Sequence, residues 1–564
     1  MARPALGPAA KAGPDAPDEA SPADRPGWSR LARAAGAAGF VLVALCLFAA
    51  FVRLSSTYAV NSDGANIVLM AWDMLHGNLL LHGWDMSDVS FWTTELPEYM
   101  LVELARGAGP DVPHIAAAMT YTLALVLAAL LAWNRGRGTR ESLTRVLLPT
   151  GIMVAPQLGA GTFVLLLSVG HIGTAVPVLV TWLVLDRGRP RWYVPVLAGF
   201  LLAWAAIADS LVMVVGIGPL AAVGLARAAR AVGTRQGWRS ARYDLSLAAT
   251  ALAAAGIWTG AASAIKALGG YTVHQIPFHF VTWSTLGAHT RTTGLSLLAL
   301  FGASFQGVAP GTGVVFAALH VVGLALVTVA LVVVLARFFR RSLIDQVLAV
   351  AIMANLVVYL VSSFSSGVLN AREIAVVLPF GAALAGRALG PWLARAAWPA
   401  PGAWTQPRRW ATPVLLAALA GYTACLGYQL TRPTAPPANT RLASWLAGHD
   451  LTHGLSGYWQ AGSATLDSHG QVTVRPLVDH FSGLVPYRWE AKRSWFDWRT
   501  QYANFVVLEH QPGFFTYWDP AHQVRDVFGA PAQTYRTGPY TILVWHQNLL
   551  AILHRWEQGT ARPR

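Results

Sequence analysis

Cysteine is almost absent, with Cys46 and Cys425 the only two in 564 residues. Both fall in apolar stretches, where a thiol behaves as a small hydrophobe, and no Cys/His spacing suits zinc or an iron–sulfur cluster. A disulfide framework and a thiolate metal centre are therefore excluded. Charge is scarce too, at 12% of residues against 54% hydrophobic. That balance excludes a large soluble core ahead of about residue 430, because the apolar runs approach the ~20 residues that cross a bilayer. Lysine is limited to Lys11, Lys266 and Lys492, so arginine supplies nearly all the positive charge. The formal net charge of +14 would suit a nucleic-acid binder, but the arginines gather in short segments between apolar runs, as in cytoplasmic loops. The charge reports topology, and no nucleic-acid partner is expected.

What is present is a series of apolar runs near 34–54, 115–133, 145–167, 172–185, 193–208, 211–226, 245–265, 308–335, 343–361, 374–390 and 411–430. They predict a polytopic α-helical membrane protein of about eleven transmembrane helices, in a plasma membrane. Arg135, Arg137 and Arg140, then Arg187, Arg189 and Arg191, then Arg227 to Arg242, Arg337 to Arg341 and Arg395 to Arg409 follow the even-numbered runs. An odd count with the amino end cytoplasmic puts the tail outside. Residues 1–33, rich in Ala, Pro, Asp and Gly, read as a disordered cytoplasmic leader. The run beginning at Ala34 reads as an uncleaved first span. The transmembrane domain then covers 34–430.

From Thr431 the composition shifts to Trp, Tyr, His and Asp, which predicts an extracytoplasmic α/β domain over 431–564. Its expected elements are a helix at about Asn439–Gly448, strands at Gly457–Trp459, Val472–Pro476, Asn504–Glu509 and Tyr540–Trp545, and a helix near the end. The loop 266–307 should be extracytoplasmic, with Tyr271–Arg291 partly re-entrant or flat on the membrane.

The most informative segment is the extracytoplasmic loop 55–114. It holds Asn61-Ser62-Asp63-Gly64 and seven further carboxylates, Asp73, Asp85, Asp88, Glu95, Glu98, Glu103 and Asp111, in a chain with only 27 acidic residues. Gly64 to Leu75 is apolar enough to form a short interfacial helix ended by Gly77. Asp63 would then stand at the mouth of the bilayer, as a reactive carboxylate, as the N-cap of that helix, or as both. Trp84-Asp85, Asp88, Trp92, Glu95 and Glu98 place aromatic faces beside carboxylates, a combination that suits a sugar. The alternative is a solvated acidic loop whose tryptophans anchor at the headgroups.

Cations on the same side are Arg372, Arg291 and Lys266. Arg372 could grip a lipid phosphate, snorkel, or pair with Glu373. Asp209 is expected near the outer surface, bonded to a neighbouring loop. The histidines are scattered, without a metal-ligand spacing.

A first span, an outer loop opening with an acidic residue and a short helix, then many spans and an outer tail domain resemble the GT-C superfamily of membrane glycosyltransferases, among them protein-mannosyltransferase-like and aminoarabinose-transferase-like enzymes. The resemblance implies a sugar carried on a polyprenyl phosphate, an extracytoplasmic acceptor, inversion at the anomeric carbon and a first-loop carboxylate acting as base, here Asp63. Many relatives carry an adjacent Asp-Glu pair where this chain has Asp63-Gly64, so the need for a divalent cation and the subfamily stay open. Displacing a lipid phosphate requires a base for the incoming hydroxyl and a cation for the departing group, which Asp63 and Arg372, or Arg291 or Lys266, would supply. The rival is a transporter or lipid-linked glycan flippase, which needs no base but would favour ionisable midplane sites in matching halves. No internal repeat is visible. A third class is a membrane protein whose tail, with Trp459, Trp489, Trp495, Trp498 and Trp518, binds a glycan or protein.

Overall fold

In the computed structural model, the described residues are 26–133, 139–157, 159–167, 170–234, 238–397, 411–480, 483–510 and 520–559. Residues 1–25 of the expected leader, Arg135, Arg137, Arg235, Arg408, Arg409 and Trp518 lie outside them. The chain divides into two units, Met1–Leu47 and Phe48–Arg564. Helix α1 (Pro26–Ser55) starts eight residues before the expected first span at Ala34.

After α1 come the first-loop elements α2 (Ser62–Leu75), β1 (Trp84–Met86) and α3 (Glu95–Arg106), then helices α4 (Val112–Ala132), α5 (Thr139–Met153), α6 (Ala160–Leu166), α7 (Ala175–Arg187) and α8 (Tyr193–Ala208). A π-helix at Met213–Ile217 runs into α9 (Gly218–Gly233), followed by α10 (Trp238–Ala267), β2 (Thr272–Val273), α11 (Leu286–Leu300), α12 (Thr312–Ala336) and α13 (Leu343–Val361). A 3₁₀ helix at Val368–Ile374 precedes α14 (Val377–Ala397) and α15 (Ala411–Leu430).

Among the described residues, seven helices are long and apolar enough to cross a membrane, or eight if the 3₁₀ helix and α14, bent by 57°, form one span. The expected eleven are not reached because one apolar run breaks into short pieces and two others form single short helices. The run at 145–167 is split between α5, of 15 residues, and α6, of 7, by Pro156 and by Gly159 at φ +111°. Proline removes a backbone donor there and only glycine takes that φ without strain. Helices α7 and α8 have 13 and 16 residues. At 1.5 Å per residue these reach about 20–24 Å, short of a ~30 Å hydrocarbon core.

The C-terminal domain contains α16 (Thr440–Gly448), β3 (His453–Gly457), α17 (Tyr458–Asp467), β4 (Thr473–His480), β5 (Gly483–Pro486), β6 (Ala491–Lys492), β7 (Phe505–Glu509), α18 (Ala521–Phe528), β8 (Gln533–Thr537), β9 (Tyr540–Val544) and α19 (Leu549–Glu557). Six strands form one sheet in the order β5-β4-β3-β7-β9-β8, parallel across β4-β3-β7 and antiparallel elsewhere. Strand periodicity sends Val506 and Leu508 to one face, against Val524, Phe528 and Leu553, while Phe505 and Val507 pack on the other with Leu446 and Ala461. Both faces are covered by helices, which is why β7 is buried throughout. The strand expected at Gly457–Trp459 ends at Gly457, and Tyr458 opens α17 instead. The chain turns from strand to helix there, and this turn matters below.

Three short strands from distant parts of the chain form a second sheet in the order β2-β1-β6. It joins the first loop, the segment after α10 and the C-terminal domain. The segment Tyr271–Arg291 is thus extended at first, with β2 parallel to β1, and helical from Leu286. Two ion pairs reinforce the sheet: Lys492 Nζ lies 3.0 Å from Asp73 Oδ2 and Arg493 Nη2 lies 2.6 Å from Asp85 Oδ1.

Candidate active site

Helix α2 begins where Asn61, extended at its N-cap, accepts a hydrogen bond from the Gly64 amide at 3.2 Å. Asn61 therefore takes the capping role expected of Asp63, because an N-cap side chain must reach back to the third helical amide. Asp63 sits in the first turn, where the helix dipole favours an anion. Its carboxylate is 8% exposed and turns toward the C-terminal domain. Tyr458 Oη lies 2.7 Å from Asp63 Oδ1 and 2.9 Å from Glu490 Oε2.

These groups meet because α17 packs on α2 through small residues. A Cβ placed on Gly462 would lie 2.3 Å from Asn66 Oδ1, so only glycine admits this approach. Tyr458 then enters from the strand-to-helix turn, one helical turn before Gly462.

Asp63, Asp88, Arg372 and Glu490 line one narrow cleft of about 20 Å³, with Phe91, His171 and Trp489. Burial raises the Asp63 pKa above the ordinary value, against the charge of Arg372 and hydrogen bonds from Tyr458 and Asn61. Glu490 is pushed well above the ordinary range, first by burial and then by the charge on Asp63. Two residues of the lining are held at left-handed backbone angles, Phe91 at φ +55° and Glu490 at φ +50°. Each such angle costs about 1–3 kcal/mol in a residue with a side chain and persists only where surrounding structure enforces it.

Asp88 and His171 also line a neighbouring cavity of about 470 Å³. Its wall is apolar, with Leu211 and Val214 of the π-helix region, Trp258 of α10 and Val358 of α13, and its polar end holds Glu373. Lining by span helices suits a lipid chain. A larger cavity, about 630 Å³, lies elsewhere, lined by Tyr58, Gln429 and Arg432 and, among the described residues, by no acidic one.

The scattered histidines were expected to bind no metal, yet folding brings His171 beside two carboxylates. One ligand atom each from Asp88, His171 and Glu373 lies within 4.8 Å of the others. His171 Nδ1 is 2.7 Å from Asp209 Oδ2, and its Nε2 is 2.8 Å from Glu373 Oε2. Burial opposes charge on this ring, but Asp209 and Glu373 outweigh it and raise its pKa well above 6.5. An imidazole oriented by a carboxylate through one nitrogen, with two acids at the other, is a donor set that fits a divalent cation such as Zn²⁺ or Mn²⁺ once the ring proton leaves. Asp209 is fully enclosed and bonded to the turn carrying His171 and Thr174, as well as to the Leu211 amide at 2.8 Å.

The remaining expected site residues fall elsewhere. Asp85 is consumed by Arg493 and Thr272. Trp84 is 1% exposed and donates to Asp73 at 2.7 Å, and Trp92 donates to the Leu79 carbonyl at 2.8 Å. The enclosed Trp84 ring braces the loop and has no free face for a sugar, whereas the Trp92 ring stays half-buried. Glu95 and Glu98 line a separate cavity of about 260 Å³ beside α7 and α8. Burial pushes their pKa values up to about 8 and about 7. Arg291 and Lys266 are exposed and absent from the cleft, leaving Arg372 as the cation there. Its expected pairing with Glu373 is loose, at 3.5 Å, because His171 holds Glu373 more closely. Tyr458 and Glu490 were not legible as site residues. Nothing local marks them, and only the pairing of β6 with β1 and the packing of α17 on α2 bring them in.

No protein-family model matches the chain, and no curated protein does. Solved structures do. ArnT from Cupriavidus metallidurans in the apo state superposes with a TM-score of 0.50 at 15% identity, over 91% of this chain and 98% of that one. The same protein bound to undecaprenyl phosphate gives 0.46 at 15% identity, over 92% and 98%. The apo oligosaccharyltransferase of Archaeoglobus fulgidus gives 0.46 at 14% identity, over 83% and 69%. At such identities the likeness is one of fold: this chain shares the architecture of ArnT.

Proposed function

We propose that the protein is an integral membrane glycosyltransferase that moves a sugar from a polyprenyl-phosphate donor to an extracytoplasmic acceptor, a cell-envelope glycan, lipid or protein. The observation that carries this reading is the cleft in which a buried carboxylate, Asp63, shares walls with a guanidinium, Arg372, beside an apolar cavity lined by span helices. The shared fold with ArnT supports it.

In this reading the first loop and the C-terminal domain face outward and the amino end lies in the cytoplasm. The prenyl chain occupies the apolar cavity and the phosphate comes to Arg372, which binds it and stabilises the charge that grows as the bond to the sugar breaks. Asp63 accepts the proton of the acceptor hydroxyl, whose oxygen attacks the anomeric carbon from the opposite face, with inversion. Asp88, His171 and Glu373 would hold a divalent cation, which when bound supplies further positive charge for the phosphate.

The test is incubation of purified protein with a panel of radiolabelled polyprenyl-phosphate sugars, scoring release of the free lipid phosphate. Transfer should fall about 10²–10⁴-fold in Asp63→Asn with folding intact. Unchanged transfer in that variant overturns the role of Asp63, and lipid translocation without turnover favours a flippase.

A further inference from the structure

Tyr458 Oη contacts two carboxyl groups, at 2.7 Å to Asp63 Oδ1 and 2.9 Å to Glu490 Oε2, and a phenol has one hydrogen to give. Asn66 Nδ2 donates to the same oxygen at 3.4 Å, so no donor is missing on that side. If both carboxyls were ionised, one contact would set a phenol lone pair against an anion in an enclosed site. The second contact is a hydrogen bond only when one carboxyl carries its own proton. Asp63 and Glu490 are 8% and 3% exposed, so bulk solvent does little to relieve the conflict.

The groups facing the pair decide which acid holds the proton. Asp63 has Asn61 on its other oxygen at 3.4 Å, the α2 dipole and the charge of Arg372. Glu490 faces Asp63 from α2, Ser87 just after β1, whose hydrogen bond favours the ionised form, Arg372 from the 3₁₀ helix, Tyr99 from α3, Tyr458 from α17 and Tyr487 from its own segment. Burial and the Asp63 charge both push Glu490 toward its neutral form. The bonds therefore run from the Glu490 O–H to Tyr458 Oη, and from the Tyr458 O–H to Asp63 Oδ1.

We propose that Glu490, contributed by the C-terminal domain, is the general acid of the transfer and that Tyr458 returns the proton from Asp63 to it. The proposal rests on the glycosyl-transfer reading and deepens it. The balance closes without another reactant. The acceptor oxygen forms its bond to the anomeric carbon while the bond from that carbon to the phosphate oxygen breaks, and the electron pair leaves on the phosphate. Asp63 gains the acceptor's proton and Glu490 gives its own to the departing phosphate, which shares the cleft. The proton on Asp63 then passes to Tyr458 Oη as the phenol hydrogen moves to Glu490, and both acids regain their starting states. The net result is one proton carried from acceptor to lipid phosphate.

Two measurements test it. In infrared difference spectra of resting protein, wild type minus Glu490→Gln, a protonated-carboxyl carbonyl band should appear, whereas its absence overturns the proton's placement. In steady-state transfer, Glu490→Gln should lower kcat about 10²–10³-fold with KM little changed and lose the alkaline limb of the kcat profile. A wild-type pH profile in that variant overturns the acid role, since a merely structural Glu490 would alter rate without removing that limb. Tyr458→Phe, which leaves both carboxyls in place, should retain a first-turnover burst followed by slow cycling; equal slowing of both phases overturns the relay. Wild-type protein inactive on every donor would refute the transfer reading itself, and the infrared band would still decide where the proton resides.

Discussion

Replacing Gly462 by alanine probes the packing that builds the cleft without touching a reacting group. The new methyl would sit 2.3 Å from Asn66 Oδ1 and 3.0 Å from Asn66 Cγ. Ordinary contact begins near 3.5 Å, so α17 and α2 must separate by about 1 Å or Asn66 must turn away. Asn66 is 2% exposed, and overpacking of this kind costs about 1–3 kcal/mol. A separation of 1 Å stretches the 2.7 Å contact of Tyr458 with Asp63 past hydrogen-bonding range. A misplacement of that size costs on the order of 10² in rate. Gly462→Ala should thus lower kcat for sugar transfer about 10–100-fold and lower the melting temperature modestly. Adding Asn66→Ala, which removes the obstructing amide, should recover most of the loss in a double-mutant cycle. Full activity in the single variant, or failure of the second substitution to rescue, would refute the idea that this contact sets the catalytic geometry.

Chelation should abolish transfer and added Zn²⁺ or Mn²⁺ should restore it, with Glu373→Gln binding at least tenfold less metal by equilibrium dialysis; full activity after exhaustive chelation would remove the cation. Glu95 is neutral when folded, with its pKa raised by burial from 4.5 to about 8, so its contribution to stability is complete below 4.5 and is lost as pH rises toward 8. The melting temperature should fall across that window, and Glu95→Gln should flatten the slope. The pair Asp85–Arg493 has an arginine that is half exposed, so breaking it with Arg493→Gln should cost under about 1 kcal/mol in denaturant titration. A larger loss would mean the β1–β6 junction depends on that charge.

The sequence analysis recovered what depends on local pattern. Spans, the short helix after Asn61, α16 and strands near 473, 505 and 540 follow from periodicity and turn residues. The span count was less legible, because an apolar run interrupted by Pro156 and Gly159 looks continuous in composition yet breaks in the backbone. The site was half legible. Asp63 and Arg372 stand at loop positions that a resemblance or a charge census finds. Asp85, Trp84 and Trp92 share the same local signature; Asp85 is taken by Arg493 and Thr272, far along the chain, while the two indoles bond within the loop to Asp73 and Leu79. Glu490 and Tyr458 carry no local signal, since their place in the cleft is created by the approach of α17 to α2.

The β2-β1-β6 sheet sets an order of construction. Its outer strands are separated by more than two hundred residues, and β6 lies near the end of the chain. A growing polypeptide can form its apolar helices and the first-loop elements long before β6 has been synthesised. The cleft therefore stays unfinished until Glu490 and β6 have been delivered, and a shorter nascent chain lacks the wall that Glu490 supplies.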